Sequence, residues 1–84
     1  MKRAEAPLEV SVITPDQTLY QGKAHSVIMP GYMGVFEVLP HHKNLLSLLG
    51  MGDFIVDGNV IPIWRGIVKI NLNNITAIVE MATP

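Results

Sequence analysis

The sequence predicts an all-β domain, a two-sheet antiparallel β-sandwich over residues 8–84 behind a loose polar tail at 1–7. Three observations carry this. Apolar and polar residues alternate at period two in several short stretches, the pattern of half-buried strands. Nearly every stretch is closed by Pro, Gly, Asn or Asp, which end ladders or accept turn conformations. No stretch is long enough to hold a helix by itself in water.

Leu8, Val10 and Val12 alternate with Glu9 and Ser11, and this first strand stops at Thr14-Pro15-Asp16. A short strand follows around Thr18-Leu19-Tyr20, then Gly22, then a strand from Ala24 to Met29. Pro30-Gly31 fits the centre of a type II turn, where Pro presets φ and Gly takes positive φ. Val35 to Leu39 forms the next strand and ends at Pro40. Leu45-Leu46-Ser47-Leu48-Leu49 is the one run with helical character, limited to a turn by Gly50 and Gly52. Asp57-Gly58-Asn59 between Phe54-Ile55-Val56 and residues 60–64 is a strong hairpin signal. Gly66 is expected to break or bulge the chain before Ile67-Val68-Lys69-Ile70. Asn71 to Asn74 is a turn cluster. Ile75, Ala77, Val79 and Met81 then alternate with Thr76, Ile78 and Glu80 as the last strand.

The charge balance excludes whole classes of function. Charged residues make up 15% of the chain and the formal net charge is −1, against a usual charged share of about 25%. No basic stripe is present for nucleic acid or a phospholipid surface. A small domain this poor in charge is expected to cover part of its surface with a partner. There are no cysteines, so disulfides and thiolate metal sites are excluded. Apolar stretches are cut well short of the ~20 residues that span a bilayer. The start, Met1-Lys2-Arg3-Ala4-Glu5-Ala6-Pro7, lacks the apolar run of a secretory signal. An intracellular location is the expectation.

Candidate chemistry is sparse. Neighbours on extended backbone point to opposite faces, so adjacent His41 and His42 make a poor metal pair, and no metal site is expected. His25 and Ser26 with Asp16, Asp53 or Asp57 compose a triad on paper, but no strained turn presents a nucleophile. Gly50-Met51-Gly52 lacks the Gly-Lys-Ser/Thr of a phosphate loop. Neither a catalytic residue nor a cofactor is therefore expected. What stands out is apolar residues at turns. Tyr32 and Met33, between Gly31 and Gly34, either fold back under their loop or form an interface. Trp64 beside Arg65 is either a core-edge residue or an interface anchor.

The segment from Pro30-Gly31-Tyr32-Met33-Gly34 through Val38-Leu39-Pro40-His41-His42 to Leu45-Leu46 resembles the signature of the epsilon subunit of F-type ATP synthases. That family shows Pro-Gly, two residues, Gly, a strand with a second Gly, then Val-Leu-Pro-Gly-His and a Leu-Leu pair. The opening strand with Thr14-Pro15, Leu19-Tyr20 and Gly22 is similar too, as are residues 66–70 and 75–80. The resemblance covers residues 8–82. Glu37 stands where the family usually has Gly, His41 where it has the Gly before the motif histidine (matched by His42), and Trp64-Arg65 where it has Ser-Gly. The acidic residues common near Tyr32, Met33 and Val35 are missing.

The resemblance implies the family's N-terminal β-sandwich and a non-catalytic central-stalk subunit that couples proton flow to ATP synthesis. Its implied partners are the gamma subunit on one side and the membrane rotor (c) ring at one end. The implied contact residues are Gly31, Tyr32, Met33, Gly34, Val35 and His42. The implied location is the cytoplasmic face of the bacterial inner membrane, peripheral and through the complex only. The family's C-terminal helical hairpin has no counterpart before Pro84, so neither nucleotide binding nor autoinhibition is expected. The alternatives are a small β-barrel protein- or peptide-binding module, which needs a basic or aromatic-lined face, and a small enzyme, which needs a convergent polar pocket.

Overall fold

The computed structural model describes residues 7–82, all strand and turn without helix. The tail expected at 1–7 lies, Pro7 apart, outside the described residues. The strands are β1 (Leu8–Ile13), β2 (Thr18–Ala24), β3 (Val27–Gly31), β4 (Gly34–Val38), β5 (Leu45–Leu49), β6 (Gly52–Val56), β7 (Asn59–Asn71) and β8 (Asn74–Met81). Their path runs β2-β1-β8-β7-β5-β3-β4, and β6 bridges β3 and β7. One layer is β2, β1, β8, the second half of β7, and β5. The other is β4, β3, β6 and the first half of β7, joined to β5 by the Gly31–Leu49 pair. The radius of gyration is 12.4 Å, close to the ~12 Å of a compact chain of this length.

β7 belongs to both layers. Residues 59–63 pair with β6 and residues 66–70 with β5. The switch needs a bend, supplied by a bulge between Ile63 and Arg65 in the ladder with β8. Gly66 was the expected break. It instead continues the strand, and the irregularity sits at Trp64. Gly66 is glycine for a different reason: a Cβ there would lie 2.6 Å from the Ile78 carbonyl oxygen and 2.9 Å from Val79.

Other expectations also move. Residues 45–49 form strand β5, not a helical turn, because pairing with β7 satisfies their backbone along the whole run. Pro30 and Gly31 end strand β3, and the turn is two residues later, at Tyr32 and Met33. β2 runs through Gly22 to Ala24, and β3 starts at Val27. The sandwich is antiparallel except for one pairing, since β1 runs parallel to β8. That pairing starts at the β7–β8 hairpin, whose Asn73 carbonyl accepts a hydrogen bond from the Glu9 N–H at 2.8 Å.

The core follows the period-two pattern closely. Leu8, Val10 and Val12 of β1 lie beside Ile75, Ala77 and Val79 of β8 on the inner face of one layer, and Phe54, Val56 and Ile63 close the other side. Each Val, Leu, Ile or Phe among them contributes roughly 1.5–3 kcal/mol by leaving water. Among the described residues no polar side chain is buried.

The β6–β7 hairpin turns as its Asp-Gly pair predicts, with Asp57 at φ 46° and Gly58 at φ 85°. The Asp57 carboxylate also fastens another corner. It accepts the His25 N–H at 3.0 and 3.1 Å and the Ser26 N–H at 3.0 Å, while the Asp57 N–H donates to the Ser26 carbonyl at 3.1 Å. Asp57→Ala should therefore lose about 1–3 kcal/mol in a urea titration, because two strand-end donors lose their acceptor. Asp57→Asn, which keeps an acceptor and tolerates positive φ, should lose less. Equal losses for both variants would contradict the clamp.

Candidate functional site

The surface feature that stands apart is the β3–β4 turn. Gly31 and Gly34 pair across its base. A Cβ at Gly31 would come within 2.6 Å of the Gly34 carbonyl oxygen and 2.8 Å of the Phe36 ring. Gly34 has φ +138°, a conformation side chains disfavour. One glycine permits close approach and the other the backbone angle. The turn is then tied down: the Tyr32 N–H donates to the Leu48 carbonyl at 2.9 Å, and the Gly50 N–H to the Pro30 carbonyl at 2.8 Å. On this fixed backbone the side chains project into solvent, with Met33 93%, Tyr32 74% and Val35 73% exposed. Tyr32 and Met33 do not fold back beneath the loop.

Beside this tip lies a second apolar surface, which the sequence reading missed. Leu48 of β5, Ile67 of β7 and Ile78 of β8 are direct cross-strand neighbours, and Ile13 of β1 continues the row. Leu48, Ile67 and Ile78 are all exposed on the outer face of the sheet. They floor an open groove of about 550 Å³ that Tyr32, beside β5, and Pro15, just after β1, also line. At its rim Arg65 Nε and Nη2 donate to Glu80 Oε1 and Oε2 at 3.1 and 3.4 Å. The signal was present in the sequence. Ile78 occupies the polar parity of β8, between Thr76 and Glu80, and β5 is apolar in both parities. An apolar residue in the polar parity of a strand faces outward.

The structure does not bring His42 together with the other expected contact residues. β4 separates the loop of residues 39–44 from the tip by four residue steps, about 13 Å. That loop is held against the β7–β8 hairpin by two asparagines. The Asn73 side-chain oxygen accepts the His41 N–H at 2.8 Å, and that of Asn44 accepts the Leu72 N–H at 2.8 Å. His42 is half-buried, with Nδ1 2.7 Å from the Lys43 carbonyl oxygen. His41 has φ 71°, in the left-handed region where glycine is the least strained residue.

The remaining candidates are structural. His25 and Ser26 do meet Asp57, but through their backbone N–H groups, and the His25 ring stays exposed 3.8 Å from the carboxylate. Gly52 lies under Pro30, where a Cβ would meet the proline Cβ at 2.7 Å. Among the described residues no group of three or more His, Cys, Asp or Glu converges. Trp64 stands exposed at the β7 bulge.

Comparison with known proteins agrees with this architecture. Residues 7–84 match the family model of the ATP synthase delta/epsilon chain β-sandwich domain. The chain is similar to an ATP synthase epsilon chain of Leptospira interrogans, 36% identical over 77 residues, covering 87% of this chain and 61% of that protein. It is similar to that of a Nitratiruptor species, 40% identical over 83 residues, covering 92% and 64%. The chain thus spans a little over three-fifths of these relatives. Its fold is also that of a subunit in the Euglena gracilis mitochondrial ATP synthase (TM-score 0.82, 18% identity, 99% and 56% covered). A chain of the Tetrahymena thermophila mitochondrial ATP synthase, solved with central stalk and c-ring, matches likewise (TM-score 0.75, 13% identity, 93% and 66% covered).

The strained position yields a test. His41→Val should destabilise by about 1–2 kcal/mol, since a β-branched residue resists the left-handed conformation. His41→Gly should stay within about 1 kcal/mol of the parent, the relieved strain offsetting a freer unfolded chain. Thermal melts of the three proteins decide it, and equal melting temperatures for the valine and glycine variants would contradict the geometry.

Proposed function

The chain belongs to the ATP synthase delta/epsilon chain β-sandwich family, and from that membership we propose that it is an epsilon-type subunit in the central stalk of an F-type ATP synthase. The observation that carries this reading is the continuity of two apolar surfaces through Tyr32. The groove over Leu48, Ile67 and Ile78 lies along one flank of the sandwich, and the Met33 tip closes one end. A body with one such surface on its flank and another at its end suits two partners at once. The groove receives the gamma subunit and the tip meets the solvent-facing loops of the membrane rotor ring.

This role is mechanical. A partner held at both places turns with the chain and passes torque between proton flow and ATP synthesis, so what matters is rigidity and contact area. The clamped turns and close-packed core provide the first, and the outward apolar row the second. The chain contributes no catalytic residue on this reading. Among the described residues no helix is long and apolar enough to cross a membrane. The proposed membrane association runs through the ring alone, at the cytoplasmic face of a bacterial inner membrane. His42, at the far end of β4, is left outside the proposed ring contact.

The proposal is tested by placing a charge in the groove. Leu48→Asp and Ile78→Asp, both on exposed positions, should weaken gamma binding by about a hundredfold or more, as burying an unpaired carboxylate in an apolar interface requires. Melting temperatures should change by only a few degrees. Undiminished co-purification with gamma would remove the groove from the contact. Titration calorimetry of the parent with Mg-ATP should show no saturable heat, because among the described residues there is neither a phosphate-cradling loop nor a basic cluster.

A further inference from the structure

Strand β4 ends the sheet path, and among the described residues nothing pairs with its outer side. An open edge of this kind is a template for another strand. Which groups it offers follows from β3. The Pro30 carbonyl accepts the Gly50 N–H, so it points away from β4, and Pro30 has no N–H to donate. Pro30–Val35 is therefore a pair without hydrogen bonds in the β3–β4 ladder. By alternation Ile28–Glu37 is another. The backbone N–H and carbonyl groups of Val35 and Glu37 thus face the open edge.

Val35-Phe36-Glu37-Val38-Leu39 is β-branched, aromatic and aliphatic apart from one carboxylate, a composition that favours joining of edges. From Ser26 to His42 Glu37 is the one Asp, Glu, Lys or Arg in the chain. It stands exposed on the same face as Val35. We infer that Glu37 keeps β4 from pairing with β4 of a second copy. Full antiparallel overlap of the two strands sets Glu37 opposite Val35 of the second copy. It also puts the two carboxylates on one face of the joined sheet as diagonal neighbours, about 7–8 Å apart. Sliding by one residue sets inner faces against outer ones. Sliding by two leaves three residues of each five-residue strand in the ladder, and in one direction places the carboxylates directly opposite. Each register loses either length or charge balance. The other edge strand, β2, carries a charge of its own at Lys23, 3.7 Å from Glu9. This role of Glu37 concerns the chain by itself and does not rest on the stalk reading.

The experiment is sedimentation equilibrium from micromolar to millimolar protein, with amide hydrogen exchange, on the parent and on Glu37→Val, Glu37→Thr and Glu37→Lys. The parent and the lysine variant should stay monomeric, since either sign of charge repels its own copy. The valine and threonine variants should self-associate about tenfold or more tightly than the parent. Their melting temperatures at low concentration should lie within a few degrees of the parent's, because the position is exposed. As they associate, the amides of residues 35 and 37 should exchange more slowly. Monomeric valine and threonine variants would overturn the inference, as would a lysine variant that associates like them. Association of the valine variant but not the threonine variant would assign the effect to added apolar surface and overturn the role of charge. Association with the amides of residues 35 and 37 exchanging as in the parent would place the contact away from β4 and overturn the edge.

Discussion

The fold depends on the close approach of β7 and β8 at Gly66. The strand must serve two layers, pairing with β6 before Trp64 and with β5 after Gly66. A bulge bends it, and the bend presses its backbone against the Ile78 carbonyl, 2.6 Å from where a Cβ would stand. Only glycine lets the ladder resume there. With that contact in place, β8 continues beside β7 to the hairpin at Leu72 and Asn73, and β1 can lie parallel on its other side. The layers then close on Phe54, Val56 and Ile63 without a separate connecting element.

The same strand organises the surface. Because β7 and β8 keep strict register past the bulge, Ile67 and Ile78 fall opposite one another, and β5 adds Leu48 to the row. The exposed apolar row is therefore a consequence of pairing. So is its continuity with the tip, because β5 is where the Tyr32 N–H is anchored. Fold and contact surface share their supports. The low charge content has its place here as well: the flank that would normally carry alternating polar residues carries isoleucine and leucine instead.

Elsewhere the chain is stabilised by small side-chain clamps at its ends. Asp57 holds the β2–β3 corner, and Asn73 with Asn44 joins the loop of residues 39–44 to the β7–β8 hairpin. The carboxylate or amide oxygen at each place satisfies backbone donors that the irregular chain leaves without a ladder partner. These residues look like candidates for chemistry in a sequence, since His25, Ser26 and Asp57 are also the members of a paper triad. Their partners show otherwise.

Local rules determined the strands, their buried faces and most of their ends, because alternation and turn chemistry act over a few residues. The β1 face of Leu8, Val10 and Val12, the Asp57-Gly58 turn and the cluster before Asn74 were all legible in this way. The glycines flanking Tyr32 and Met33 were legible as a special turn, though its centre lay beyond Pro30-Gly31. Tertiary structure alone decided the rest. Whether residues 45–49 coil or extend depends on β7 being there to accept their hydrogen bonds. Whether Gly66 breaks a strand or lets one pass depends on the distance to β8. The parallel pairing of β1 with β8 joins residues more than sixty apart in the chain, beyond any local pattern. The groove needed three strands in register before its floor existed, and His42 needed the length of β4 to be placed away from the tip. Sequence neighbours determine conformation through the backbone, while surfaces are composed of residues that only pairing brings together.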